Sequence, residues 1–408
     1  MPQIKFGTDG WRGVIARDFT FANVRVVAQA VAGYVRDTGE AKRGVVVGYD
    51  TRFLSERFAQ TVAEVLAANG IPVYLTDQAA PTPAVSFAVK HLGAAGGVMI
   101  TASHNPPEYN GVKFKGAYGG SALPEMVARI EAQLEMAASN EQSVTSRSCS
   151  AAPIRRLDPR PAYFAQLRNL VDLDVIRAAG LRLMVDPMHG AGRGYLKALL
   201  AEEGIPVTEI RGEFNPSFGG VNPEPIAANL EALVQAVRET GTSLGTATDG
   251  DADRVGAVDE RGNFVDSHRI FALLLEHLVA RRHWTGSVVK TFSTTRMIDK
   301  LAAAYGLTLH ETPIGFKYVC EHMLAEDVLI GGEESGGIGV KNHLPERDGL
   351  LCSLLLAEIV AVTGTSLSEL VEDLMRRLGR HEYGRVDLHL RPGQKEALLR
   401  RLNAHPPA

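Results

Sequence analysis

Residues 44–69 have the sequence GVVVGYDTRFLSERFAQTVAEVLAAN. The first part, Gly44–Asp50, is a short run rich in Val, and the second part, Ser55–Asn69, carries apolar residues at helical spacing. This order predicts a β-strand followed by an α-helix. The unit recurs, because further short apolar runs lead into loops of Gly, Asp, Ser or Thr at residues 97–100, 181–185, 244–248, 288–290 and 328–330. The chain is therefore predicted to be an α/β protein.

The length of the chain predicts several domains. It has 408 residues, whereas a single hydrophobic core stops growing at roughly 250–300 residues. Met136–Pro153 is rich in Ser, Ala and Thr and is typical of a linker, and Val255–Phe264 predicts a hairpin around Arg261-Gly262. Ser366–Leu378 has a helical pattern that ends at Gly379. These breaks predict α/β domains at residues 1–145, 146–255 and 256–378, followed by a remainder at 379–408.

Charge and cysteine usage exclude some classes of protein. The net charge is −4 and no long Lys/Arg block occurs, so nothing indicates a nucleic-acid partner. No apolar run reaches the roughly 18 residues of a membrane span, and the N-terminus lacks the apolar core of a signal peptide. Cys149, Cys320 and Cys352 are odd in number and far apart, as expected for free thiols in a reducing compartment. We expect a cytoplasmic protein without a membrane partner.

Three carboxylates alternate in the segment TDGDADR, at Asp249, Asp251 and Asp253. Alternate residues of an extended segment point the same way, and converging carboxylates need a hard dication such as Mg²⁺. A calcium loop is one alternative, since Glu260 falls at its twelfth position, but Arg254 stands at the sixth position, where that loop needs Gly. A solvated acidic turn is the other alternative. The pattern favours a catalytic metal.

A candidate nucleophile, Ser103, lies in ITASHNPPEYNGVKF, residues 100–114, directly after an apolar run. Pro106 and Pro107 fix φ and stiffen the loop, and His104 and Lys113 are near in sequence. The esterase pattern G-x-S-x-G is absent, which argues against a Ser-His-Asp hydrolase. A lone serine in a turn usually has no chemical role, but the presence in the same chain of the acidic loop at Asp249, Asp251 and Asp253 favours one here.

Six segments together resemble the α-D-phosphohexomutase family, which includes phosphoglucomutases, phosphomannomutases and phosphoglucosamine mutases. The resemblance covers nearly the whole chain in the expected order. The segments are FGTDGWRG (6–13), TASHNPPEYNGVKF (101–114), DGDADR (249–254), TPIGFKY (312–318), GGEESGG (331–337) and PERDG (345–349). It implies consecutive α/β domains with mixed sheets sandwiched by helices, around a central cleft.

The resemblance also implies a set of site residues. It implies a phosphoserine at Ser103, and Mg²⁺ bound by a phosphoserine oxygen and the three aspartates of the acidic loop. The charged side chains around the transferring phosphoryl group would be Arg12, His104 and Lys113, of which His104 and Lys113 are candidates for proton transfer. The substrate contacts would come from Glu333 and Ser335 (sugar hydroxyls), Lys317 (substrate phosphate) and Arg254 (orientation of the phosphoserine). For some of these residues the sequence leaves a second interpretation: Glu333 as a helix cap, Lys317 as a solvated lysine, and Arg347 as a second substrate contact or a surface ion pair.

The implied reaction interconverts hexose 1-phosphate and hexose 6-phosphate through a hexose 1,6-bisphosphate, which also serves as activator. GGEESGG favours the phosphoglucomutase/phosphomannomutase branch; a phosphoglucosamine mutase is the alternative. Many members carry His where this chain has Gly337, and the phosphate-binding loop of a fourth domain is not found after Gly379. We therefore expect residues 379–408 to be a remnant of that domain, and a sugar-phosphate-binding protein with impaired turnover is a further alternative. We expect a monomer or homodimer.

Overall fold

The computed structural model describes residues 4–7, 9–139, 151–386, 390 and 393–405. Along these residues three α/β units follow one another, and each is built around its own sheet. The predicted α/β class with mixed sheets is confirmed, since every sheet combines parallel and antiparallel pairs.

The first unit contains a six-stranded sheet. Its strands are β1 (Trp11–Val14), β2 (Val45–Tyr49), β3 (Val73–Thr76), β4 (Gly96–Ile100), β5 (Tyr109–Gly116) and β6 (Ile154–Leu157). Its helices are α1 (Phe21–Asp37), α2 (Ser55–Ala68), α3 (Thr82–Leu92) and α4 (Pro124–Ser139). The strand order is β1-β5-β4-β2-β3-β6. β2 is buried along its whole length, as expected for a parallel strand covered by helices on both faces.

The second unit contains a five-stranded sheet. It begins with α5 (Arg160–Leu170) and α6 (Leu173–Ala178) and continues with β7 (Leu183–Asp186), α7 (Tyr195–Glu202), β8 (Val207–Glu209), α8 (Glu231–Thr240), β9 (Leu244–Thr248), β10 (Val255–Val258) and β11 (Phe264–Val265). The strand order is β11-β10-β9-β7-β8. The hairpin expected at 255–264 is β10 with β11, and it lies antiparallel on β9.

The third unit contains a four-stranded sheet. It consists of α9 (Ser267–Ala280), β12 (Ser287–Thr291), α10 (Met297–Tyr305), β13 (Leu309–Thr312), α11 (Phe316–Ala325), β14 (Val328–Gly332), β15 (Ile338–Val340), α12 (Gly349–Thr363) and α13 (Leu367–Leu378). The strand order is β13-β12-β14-β15. A last helix, α14 (Gln394–Ala404), follows. α13 begins with a capping box, in which Ser366 and Glu369 satisfy each other's backbone N–H groups.

α12 lies between the second and third units. It is apolar on all sides, and almost every residue in it is buried. It packs against β9 and β10 of the second sheet and against α6 and α9. Among the described residues no single helix is long and apolar enough to cross a membrane, although α12 and α13 would pass that test together despite an angle of 85° between them. A helix that is hydrophobic all round belongs in a core, and α12 holds the second and third units together.

The sheets extend beyond two of the predicted domain boundaries. β6 lies after residue 145 but pairs in parallel with β3 of the first sheet, and β10 and β11 lie at or after residue 255 but belong to the second sheet. Strand pairing across long sequence separations leaves no local signal, which is why composition placed the breaks too early. Residues 140–150 of the predicted linker lie outside the described residues, and α4 continues to Ser139.

The thiols of Cys320 and Cys352 are free, as the sequence predicts, and both residues are buried. Cys149 lies outside the described residues.

Candidate active site

The loops that follow β4, β9 and β14 meet at one place, where the three units adjoin. The hydroxyl of Ser103, after β4, donates a hydrogen bond of 2.7 Å to Oδ2 of Asp249, after β9. The backbone of Arg254 forms a β-bridge with Gly337, after β14. Loops at the carboxyl ends of strands are where α/β sheets bind ligands, so the topology brings together motifs that are far apart in sequence.

Ser103 is held in a strained and buried conformation. Its φ is 54°, in the left-handed region, and its side chain is among the buried polar groups. The left-handed conformation costs a residue with a Cβ roughly 1–2 kcal/mol. Such strain persists only where surrounding contacts enforce the conformation. The Ser103 N–H donates to the Thr101 hydroxyl at 2.8 Å. The hydroxyl of Ser103 is therefore presented in one fixed direction.

Arg52 supplies most of the enforcing contacts, and the sequence motifs did not identify it. The residue is 2% exposed, and its guanidinium donates hydrogen bonds to four backbone carbonyl groups of the segment 101–109 that carries Ser103, the serine loop. These carbonyls belong to Ser103 (2.6 Å), Asn105 (2.6 Å), Pro106 (2.8 Å) and Tyr109 (3.0 Å). The position of Arg52 just after β2 was the available signal, since the other polar clusters also follow strands.

The three aspartates of the acidic loop converge as predicted. Asp249, Asp251 and Asp253 are buried, and one carboxylate oxygen of each lies within 4.8 Å of the others. Burial raises the pKa of Asp249, and the neighbouring carboxylates of Asp253 and Asp251 raise it further. Within the described part of the chain, Oδ1 of Asp251 and Oδ1 of Asp253 are buried without a hydrogen-bond partner. Orphaned oxygens on converging carboxylates fit a hard cation with oxygen ligands, such as Mg²⁺.

The calcium-loop alternative is wrong for this segment. Glu260, which would be the ligand at the twelfth position, instead accepts hydrogen bonds from the backbone N–H (3.3 Å) and the hydroxyl of Ser368. The segment is flanked by β9 and β10 rather than by two helices. The solvated-turn alternative is also wrong, because all three carboxylates are buried.

Lys113 extends from β5 into the acidic loop. Its ammonium group donates to Oδ2 of Asp251 (2.8 Å) and Oδ2 of Asp253 (2.9 Å), and it pairs with Oδ2 of Asp9 at 2.9 Å. Burial lowers the pKa of Lys113, but the three carboxylates outweigh burial, and the net pKa is raised above its usual value. Lys113 is therefore a fixed positive charge. Asp9, in the first motif, was not singled out by the sequence.

His104 and Arg12 flank the serine. Nδ1 of His104 lies 3.4 Å from Oγ of Ser103, and burial, with the charges of Arg254 and Arg12, lowers the pKa of His104 well below its usual value. His104 is consequently neutral near pH 7. Nη1 of Arg12 donates to Oδ1 of Asn105 at 2.6 Å, and burial lowers the pKa of Arg12. His104 thus lies beside Ser103, and Arg12 contacts Asn105 of the same loop; their placement around a transferring phosphoryl group stays a prediction.

The glycine-rich loop after β14 carries Glu333, which is buried. Burial raises the pKa of Glu333, and Arg347 opposes this effect. The hydroxyl of Ser335 has no hydrogen-bond partner among the described residues, so it is available to a ligand. The loop leads into β15 and not into a helix, so the helix-cap interpretation of Glu333 is wrong.

The remaining candidates lie in different surroundings. Arg254 is nearly buried, with Nε 3.9 Å from Oδ1 of Asp253. Arg347 is buried among carboxylates, which corrects its interpretation as a surface ion pair. Lys317 lies in the first turn of α11, with its ammonium group 5.2 Å from the centre of the Tyr318 ring. Direct contacts therefore link most of the predicted residues, whereas Lys317 lies over its neighbour's ring.

Comparisons with known proteins all indicate the same family. Family models described as phosphoglucomutase/phosphomannomutase, alpha/beta/alpha domains I, II and III, match residues 3–141, 161–262 and 266–378 in that order. The chain belongs to the phosphoglucomutase/phosphomannomutase family. It is a phosphohexomutase, so the resemblance and the function class predicted from the sequence are confirmed.

Individual phosphohexomutases match over most of their length. The chain is 33% identical to the phosphoglucomutase/phosphomannomutase of Thermococcus kodakarensis, over 90% of this chain and 80% of that protein. It is 35% identical to the phosphoglucosamine mutase of Carboxydothermus hydrogenoformans, over 90% and 82%. The crystal structure of a candidate phosphomannomutase from Thermus thermophilus shares 44% identity and has a TM-score of 0.85, covering 92% of this chain and 84% of that one.

Proposed function

We propose that this phosphohexomutase interconverts the 1-phosphates and 6-phosphates of glucose and mannose by carrying a phosphoryl group on Ser103. The observation that carries the proposal is the 2.7 Å hydrogen bond from the Ser103 hydroxyl to Asp249. It joins a buried serine in a strained turn to a loop of three converging carboxylates. A serine held in one direction beside a cation site is what phosphoryl transfer requires, because catalysis of this reaction depends on positioning and charge neutralisation.

Asp249, Asp251 and Asp253 would hold a magnesium ion, with an oxygen of the Ser103 phosphate as a further ligand. The ion would neutralise charge on the transferring phosphoryl group. The orphaned oxygens of Asp251 and Asp253 support this assignment. Lys113 and Arg12 would stay protonated and attract the same phosphoryl oxygens.

Proton transfer is assigned to His104. In the forward transfer the bond between Oγ of Ser103 and phosphorus breaks, and a bond from the free sugar hydroxyl to phosphorus forms. The sugar hydroxyl loses a proton and the Ser103 oxygen gains one. A neutral imidazole can accept the proton of the sugar hydroxyl and then, as the imidazolium, deliver it to the Ser103 oxygen. The lowered pKa of His104 supports the accepting step. The raised pKa of Lys113 argues against Lys113 as a base.

Glu333 and Ser335 would bind sugar hydroxyls, Lys317 the distal phosphate, and Arg254 the phosphoserine. The product of the first transfer is a hexose 1,6-bisphosphate, which would turn around in the cleft and return its other phosphoryl group to Ser103. The bisphosphate would also activate unphosphorylated protein. The similarity to the Thermus thermophilus structure supports the glucose/mannose branch, while relatives named phosphoglucosamine mutase support glucosamine as a second candidate.

The test combines intact-mass measurement with a coupled assay. After incubation with glucose 1,6-bisphosphate, we expect one added phosphoryl group, located on Ser103. This group should be absent from Ser103→Ala and present in Ser86→Ala, a control that alters another buried serine. Turnover of glucose 1-phosphate, mannose 1-phosphate and glucosamine 1-phosphate is compared in parallel. Normal turnover by Ser103→Ala would exclude the carrier role, and a preference for glucosamine 1-phosphate would select the second candidate.

A further inference from the structure

The guanidinium group of Arg347 lies where three loops and the start of α11 meet. Its Nη2 donates to Oδ2 of Asp9 at 2.5 Å and lies 2.8 Å from Oδ2 of Asp253. Its Nη1 donates to Oε2 of Glu333 at 3.4 Å. The guanidinium carbon lies 5.3 Å from the centre of the Phe316 ring. The first motif (residues 6–13), the acidic loop, the glycine-rich loop after β14 (the sugar loop, residues 331–337) and the start of α11 thus all contact one side chain.

The stem of Arg347 occupies the space in which a side chain at position 337 would lie. A Cβ added to Gly337 would lie 2.2 Å from Cδ and 2.9 Å from Cγ of Arg347. The carbonyl of Gly337 accepts a hydrogen bond of 3.0 Å from the N–H of Glu333, which closes the sugar loop. The absence of a side chain at Gly337 therefore lets Arg347 pass directly behind this loop and reach Glu333.

The neighbours of Arg347 in PERDG anchor it on both sides. Glu346 is buried and accepts a hydrogen bond of 2.5 Å from Lys115 of β5. Asp348 is buried, accepts from the hydroxyl of Tyr163 at 2.7 Å, and caps the start of α12. The backbone at position 347 is thus held by contacts to the first and second units, so the guanidinium has a defined origin.

The charge pattern explains why an arginine stands here. Asp9, Asp253 and Glu333 would repel one another without a cation between them, and Lys113 forms ion pairs with the first two of these carboxylates. A planar guanidinium presents five donors in a rigid fork, whereas an ammonium group is a point charge. Arg347 can therefore bind all three carboxylates at once and define the distances between them.

We propose that Arg347 is a positioning residue that holds the sugar-contacting Glu333 at a set distance from Asp253 of the acidic loop. This inference rests on the proposed function, since it takes Glu333 as a ligand of the sugar hydroxyls. Arg347 touches no reacting atom in this assignment; it acts through Glu333 and Asp253. It differs from a direct substrate contact, because its donors are directed at carboxylates of the protein.

The first experiment compares Arg347→Met with Arg282→Met. Methionine keeps much of the stem and removes the charge. Arg282 also pairs with a buried carboxylate, that of Glu358, but away from the site, so it controls for the loss of an arginine paired with a buried carboxylate. For Arg347→Met we expect the KM for glucose 1-phosphate to rise about 10- to 100-fold, the effect of one lost charged hydrogen bond. We expect kcat to fall less, phosphorylation of Ser103 to persist, and Arg347→Lys to recover part of the loss.

The second experiment adds a methyl group at position 337. Gly337→Ala should displace the stem of Arg347 and raise KM in the same way. In Arg347→Ala the methyl group meets no stem, and its remaining close neighbour, Oε2 of Glu333, would lie 3.3 Å away, so Gly337→Ala/Arg347→Ala should be little worse than Arg347→Ala alone. If the increase in KM of the double variant equals the product of the increases in the two single variants, the positions are independent and the proposal is overturned.

The controls separate this inference from the proposed function. If the wild type turns over none of the hexose phosphates, the proposed function fails whatever Arg347 does. If the wild type is active and Arg347→Met keeps its KM within threefold, the positioning role is wrong. It is also wrong if Arg347→Met and Arg282→Met lose activity equally and in proportion to their melting temperatures, since Arg347 would then be structural only. Where Arg347→Met does not fold, Arg347→Lys and Gly337→Ala carry the same comparison.

Discussion

Replacing Arg52 by Met is expected to release the serine loop and to abolish efficient turnover. The side chain of Arg52 is buried, and its guanidinium binds the backbone carbonyls of Ser103, Asn105, Pro106 and Tyr109. Methionine fills much of the stem volume but donates no hydrogen bond. The four carbonyl groups then lose their hydrogen-bond donor, and nothing from Arg52 holds Ser103 in its strained conformation.

The size of the expected loss in stability and in kcat for Arg52→Met follows from the burial of Arg52 and its ion pair with Asp50. Nε of Arg52 lies 3.2 Å from Oδ2 of Asp50, and both side chains have no exposed area. Removing one partner of a buried ion pair costs about 3–5 kcal/mol, because the other charge stays buried. Hydrogen bonds to a charged donor contribute about 1.5–3 kcal/mol each, but contacts of one group are not additive. We therefore expect a loss of about 3–5 kcal/mol in the free energy of unfolding, and a displacement of about 1 Å at Ser103 would lower kcat about 100-fold.

The assay measures urea unfolding, kcat for glucose 1-phosphate, and the fraction of Ser103 phosphorylated by glucose 1,6-bisphosphate. Arg43→Met is the matched control. Arg43 also donates to backbone carbonyls, those of Gly93 (2.6 Å) and Ala94 (3.3 Å), but its side chain is 43% exposed, so its loss should cost below about 1 kcal/mol. If Arg52→Met unfolds within about 1 kcal/mol of the wild type and keeps kcat within threefold, this reasoning is refuted.

Three further variants test the site and the packing of α12. Ser103→Ala should lose turnover and phosphorylation while keeping the wild-type melting temperature to within a few degrees; a normal rate would contradict the carrier role. Asp251→Asn should raise the Mg²⁺ concentration needed for half-maximal activity at least about tenfold, and EDTA should silence the wild type reversibly, whereas EDTA-insensitive turnover would exclude the metal assignment. Burial raises the pKa of Glu358, but hydrogen bonds from His277 and Arg282 outweigh it and leave a lowered pKa. The stabilisation that ionised Glu358 contributes is therefore present above the unfolded pKa of about 4.3 and lost as pH falls through the folded pKa. Glu358→Gln should be less stable than the wild type by about 3 kcal/mol at pH 7, and the difference should disappear in urea titrations below pH 4. An equal deficit at every pH would show that the charge is not responsible.

Local pattern was sufficient for the fold class and for the chemistry-bearing residues. The run at 44–50 followed by the helical pattern at 55–69 became β2 and α2 with shifts of one residue at each boundary that moved. The acidic triplet of Asp249, Asp251 and Asp253 converges as its alternation predicted. These features depend on side-chain type and short-range spacing, which the sequence displays directly.

The partners of the charged groups were decided by the tertiary structure. The hydrogen bond from Ser103 to Asp249 spans 146 residues, and the one from Arg347 to Asp9 spans 338. The sequence suggested Lys113 as a base and Arg347 as a substrate contact or a surface pair, and Arg52 carried no motif. Burial and the sign of the nearest charges determine whether such a group moves a proton, binds a ligand or holds a loop. Burial and the nearest charges both depend on which strand ends the topology brings together. Residues that are adjacent in the chain do not determine which distant strand ends become neighbours.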